Sequence, residues 1–152
     1  MNRIFLGIFI FFIMFCLAGC KTTGYTVTVA TDKIDYSQIS GIRKVLESEN
    51  FKIGFKEKEM LDSRVQTCFD KKLHEEAYWF IDACIRYAKD DEKKIAQQFE
   101  IVFSNIYIGL ITPEIKSQID DLGNEFRDYL GKIVGKENVT IESREWGPPR
   151  FY

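Results

Sequence analysis

Apolar and hydroxyl side chains alternate along Tyr25-Thr26-Val27-Thr28-Val29, the period-two signature of a half-buried strand. The period then changes. Ile39, Ile42, Val45 and Leu46 fall on one face of a helix over 36–49, with Asp35 or Ser37 available as N-cap and Asn50 to end it in a left-handed conformation. Phe51, Ile53 and Phe55 alternate with Lys52, Gly54 and Lys56, which predicts a second strand. Over 58–77, Leu61, Val65, Phe69, Leu73 and Ala77 recur every four residues; this favours a third helix, with a short strand at 64–69 as the alternative. Trp79, Ile81, Ala83, Ile85 and Tyr87 share one parity. After the polar turn Asp90-Asp91-Glu92-Lys93 the alternation resumes at Ile95, Phe99, Ile101 and Phe103, as in a long antiparallel hairpin. Ile106, Ile108 and Leu110 fall on the opposite count, so a bulge is expected near Ser104-Asn105. Thr112-Pro113-Glu114 supplies a hydroxyl N-cap, a proline at the first helical position and an acid at the positive helix end. Ile115, Ile119, Leu122, Phe126, Leu130 and Ile133 then mark one helix face, Gly135 a stop, and residues 139–142 a last strand.

This order of elements predicts an α+β domain: a mainly antiparallel sheet with two main helices on one face. It resembles an elaborated ferredoxin-like sandwich, a fold that hosts too many activities to imply one. Composition supports a folded domain, since 45% of the 152 residues are hydrophobic. There are 21 basic and 23 acidic residues, and no basic block. That balance argues against a nucleic-acid partner.

Residues 1–19 do not belong to the domain. Met1-Asn2-Arg3 is a short positive segment, and residues 4–18 form a fifteen-residue run in which only Gly7 is not apolar. A span needs about 20 apolar residues, so the run is short for one but suits a secretory signal. It ends in Leu17-Ala18-Gly19-Cys20, which resembles the lipobox of bacterial lipoproteins. The resemblance implies that residues 1–19 are removed and that Cys20 carries a diacylglyceryl group and an acylated amine. Two or three acyl chains hold a protein on a bilayer, where one is marginal. By the same resemblance, Lys21 in place of aspartate favours the outer membrane, facing the periplasm, where the cell has one. Residues 20–24 then read as a lipidated tether and 25–152 as a single domain.

Cysteine chemistry follows from that address. Cys16 leaves with the signal and Cys20 takes lipid, so Cys68 and Cys84 remain. In an oxidising compartment such a pair favours a disulfide, the alternative being two separate buried thiols. Because Cys84 has the parity opposite to Ile81 and Ile85, a bridge is expected to pin 58–77 over the second sheet face, near Tyr78 and Phe80.

Catalytic equipment is sparse. His74, beside Glu75 and Glu76, is the only histidine, and no His-x-x-x-His or Gly-x-Ser-x-Gly motif accompanies it. The glycines are too scattered for a phosphate loop. Asp120-Asp121 and Asp90-Asp91-Glu92 lack the spacing of a calcium loop and read as solvated acids. No cofactor or metal is expected.

The C-terminal segment 145–152 stands out. Trp146, Arg150, Phe151 and Tyr152 lie around Pro148 and Pro149, and Trp, Arg and Tyr are the side chains that dominate binding hot spots. The segment either docks a partner or folds back over the sheet. The reading that results is a non-enzymatic, lipid-anchored envelope protein that binds or assembles other envelope proteins. The alternative is a periplasmic binder of a small apolar ligand or lipid, with 58–77 as a lid over Tyr78 and Phe80.

Overall fold

A computed structural model of the chain describes residues 22–59, 64–72, 80–108 and 111–147. Among these residues the order is β1 (Thr22–Asp35), α1 (Tyr36–Ser48), β2 (Lys52–Glu59), β3 (Arg64–Lys72), β4 (Phe80–Asp90), β5 (Ile95–Ile108), α2 (Pro113–Val134), a 3₁₀ turn (Lys136–Asn138) and β6 (Thr140–Trp146). The strands form one sheet in the order β2-β3-β4-β5-β1-β6, and every neighbouring pair is antiparallel. The chain is α+β, with both helices on one sheet face. The run β4-β5-β1-β6 has the strand order of a ferredoxin-like sandwich, and the β2-β3 hairpin, inserted after α1, widens it on one side.

The core lies between the helices and that face. Phe103 is its centre, with Phe126 of α2 at 5.1 Å and Phe51 at 6.3 Å between ring centroids. Ile39, Ile42 and Leu46 of α1 and Ile119, Phe126 and Leu130 of α2 join Val27, Val29, Phe69, Ile85 and Ile101 of the strands in one buried cluster. Arg43 Nη2 donates to Thr67 Oγ1 at 3.3 Å, which places α1 above β3. Helix ends follow local chemistry. Asp35 N donates to Gln38 Oε1 at 3.1 Å, Asn50 takes φ 65°, and Thr112 Oγ1 accepts from Ile115 N at 3.3 Å. Gly135, at φ 91°, ends α2.

Three expectations need correction. The helix expected over 58–77 is absent from its described part, where 64–72 is strand β3. A repeat of four is also twice two, so Val65 and Phe69 fit one strand face as well as one helix face. Thr67, buried between them, hid the alternation because its side chain is polar. Since β2 and β3 lie in the plane of the sheet, their residues pin nothing over the second face and form no lid there.

The bulge near Ser104-Asn105 is also displaced. β1 and β5 stay in register from Thr22↔Ile108 through Thr31↔Phe99. The extra residue falls in β5 between the partners of Arg86 and Ala88, where Gln98 adopts φ 49°. The pattern broke at Asn105 because a polar amide occupies a core position, 2% exposed, where Nδ2 donates to the Phe80 carbonyl at 2.6 Å.

Finally, β1 begins at Thr22, inside the stretch expected as tether, with Thr23 and Gly24 buried. Thr23 Oγ1 accepts from Ile111 N at 3.1 Å, tying the strand start to the approach to α2.

Candidate functional site

With the helices on one face, the other face of the sheet is left uncovered by any described element. Strand parity selects its side chains, and register arranges them in rows. One row runs Asp70, Asp82, Ser104, Thr26, Arg144; the next runs Cys68, Cys84, Val102, Thr28, Glu142. A third runs Gln66, Arg86, Glu100, Ala30, Thr140. In that third row Arg86 Nε donates to Gln66 Oε1 at 2.9 Å and its Nη1 lies 3.5 Å from Glu100 Oε1. The face is therefore mostly polar and of mixed charge, with part of its charge already paired.

Cys68 and Cys84 are bonded, and they sit directly opposite each other on β3 and β4, 4.1 Å apart at Cα. Gln66 Nε2 lies 3.1 Å from Cys68 Sγ. Beside the bridge, Asp70 and Asp82 are also directly opposite. Burial, and then the charge of Asp70, push the Asp82 carboxyl above the ordinary aspartate range. Phe80, at the end of β4, is 36% exposed.

Three of the acids singled out in the sequence have structural work. Asp120 Oδ1 accepts from the Tyr25 hydroxyl at 2.7 Å, and Asp91 Oδ1 from the Tyr36 hydroxyl at 3.1 Å. Burial and these carboxylates raise both tyrosines above their usual range. Asp90 accepts from Lys93 N and from Gln97 Nε2, closing the β4-β5 turn.

Trp146 ends β6 opposite Gly24, on the open face. A Cβ at position 24 would sit 2.2 Å from its indole, so glycine is what lets the ring lie against β1. The described part of the C-terminal segment is thus folded onto the sheet as an edge strand, with every residue of β6 exposed. Its other face is held by the Lys116–Glu145 ion pair, Lys116 also lying 5.7 Å over the Tyr25 ring. Arg150, Phe151, Tyr152, Cys20, His74, Glu75, Glu76 and Tyr78 lie outside the described residues.

A cleft of about 620 Å³ opens where β1 meets α1, bounded by Asp32, Lys33, Asp35, Gln38, Lys93 and Ile133. The pattern of the sequence did not reveal it, because its walls come from three separated turns. No group of three or more histidine, cysteine or acidic side chains able to hold a metal occurs among the described residues. No helix among them is long and apolar enough to cross a membrane. No protein-family model and no characterised protein matches the chain in sequence.

Proposed function

We propose that this is a lipid-anchored protein of the bacterial cell envelope whose domain binds or helps assemble other envelope proteins without catalysing a reaction. The observation that carries this reading is the one-sided sandwich. Among the described residues, both helices cover one face, and the opposite face, with its exposed β6 edge, presents a broad surface of mixed charge. A broad, partly exposed sheet surface suits a protein better than a small ligand, which needs concave enclosure. The lipobox at Leu17-Ala18-Gly19-Cys20 supplies the address.

A photo-activated crosslinker at Thr28, in the middle of the open face, tests the reading in intact cells. A discrete adduct with one envelope protein is expected, and the same group at Glu114, on the exposed start of α2, should not give it. Equal labelling from both positions, or none from Thr28 in folded protein, would remove the proposal.

A further inference from the structure

The two edges of the sheet differ. The β2 edge is irregular, with register shifts between Ile53 and Phe55 and again between Phe55 and Lys58. Such bulges blunt an edge against pairing with another chain. The β6 edge has no such device. Its seven residues run in unbroken register against β1, Gly24↔Trp146 through Ala30↔Thr140, and all seven are exposed. Half of its backbone donors and acceptors point away from β1.

We infer that β6 pairs antiparallel with β6 of a second copy of this chain, across a two-fold axis at Ser143. The charge order selects both the occupant and the register. In a two-fold antiparallel pairing the axis must pass through a residue position, because opposed residues share the same hydrogen-bonding orientation and the same face. Centred on Ser143, the pairing sets Glu142 opposite Arg144 twice, once in each direction. Both side chains belong to the open face, opposite Thr28 and Thr26 in β1, and neither takes part in an ion pair among the described residues. Moving the axis by one residue places Glu142 against Glu142, or Arg144 against Arg144. Like charges directly opposed destabilise a strand pair, and opposite charges stabilise it. The Ser143 register also brings Trp146 over Thr140 and Ile141 beside Glu145 of the second copy. The two apolar side chains left 36% exposed on β6 are then covered. The product is one continuous twelve-stranded sheet with helices on a single face, and it does not depend on the lipid anchor.

The test uses the full chain, in native membranes and purified in detergent. Ser143→Cys places two thiols face to face across the axis and should form a disulfide-linked dimer on a non-reducing gel. Ile141→Cys is the control, since its own counterpart lies roughly 13 Å away along the strand in this register. Glu142→Arg and Arg144→Glu should each weaken dimerisation about tenfold, and the double exchange should restore it. A monomeric Ser143→Cys chain with an intact sheet would overturn the inference. So would equal crosslinking from Ile141→Cys, single charge reversals without effect, or a Ser143→Cys adduct to a different protein.

Discussion

Gly123 lies in the middle of α2, where alanine would ordinarily be the better helix former by roughly 1 kcal/mol. Here the sign reverses. A Cβ at this position would come within 2.4 Å of Val27 Cγ1, and Val27 is a buried β-branched residue held by strands on both sides. Gly123→Ala should therefore destabilise the domain by about 1–2 kcal/mol in urea denaturation, the overpacking cost exceeding the propensity gain. Asp82 gives a second local case. Its carboxyl is raised in the folded chain, so the folded state holds that proton more tightly than the unfolded one. The favourable contribution is present at low pH and is lost as pH rises through the folded-state pKa. Asp82→Asn should thus be more stable than the parent at pH 7, because burial, and then the opposed charge of Asp70, penalise the ionised carboxyl but not the amide. The gap should close as the parent is taken below the carboxylate range; a constant gap in thermal melts between pH 3 and pH 7 would contradict this account.

Among elements, α2 was the most legible. Its N-cap, proline, apolar face and stop are all local signals, and the structure uses each of them. The β4-β5 hairpin was legible for the same reason, its core parity surviving in Ile81, Ala83, Ile85 and Tyr87. The β3 strand was not, because a four-residue repeat satisfies both periods and only pairing with β4 separates them. That pairing also fixes the disulfide. The expectation of a bridge was sound, but it joins strand neighbours rather than a segment folded across the sheet. Closing a loop with a separation of 16 residues stabilises a domain by about 3 kcal/mol in the chain-entropy model. Cys68→Ser combined with Cys84→Ser should lose about that much, and its melting should become indifferent to reductant. An unchanged midpoint would mean that the β3-β4 ladder alone holds the register.

For the whole molecule, attachment and folding are separable. The described residues already build a continuous buried core, so the domain is expected to fold whether or not Cys20 carries lipid. Cys20→Ser should fold with the same melting midpoint yet move from the membrane fraction to the soluble or unprocessed pool. Retention of the variant on washed membranes would sink the lipobox reading. Of the surface proposed here, the sequence showed Trp146 and a second sheet face, but neither the rows that cross that face nor the Glu142–Arg144 edge. Those depend on which strand lies outermost, and strand order is a long-range property that no local pattern encodes.

Signals carried by neighbours in the chain were enough to establish the α+β class, both helices with their ends and the hairpin. Each rests on a period, a cap or a short motif that acts within about one turn or one strand. Folding in three dimensions decided the rest. It made a period-four segment into a strand by giving it β4 to pair with, and accepted a polar Asn105 in the core by offering it a carbonyl. The resulting strand order left one face uncovered by any described element and the regular strand β6 outermost, because burying apolar surface on one side of the sheet was sufficient to build the core.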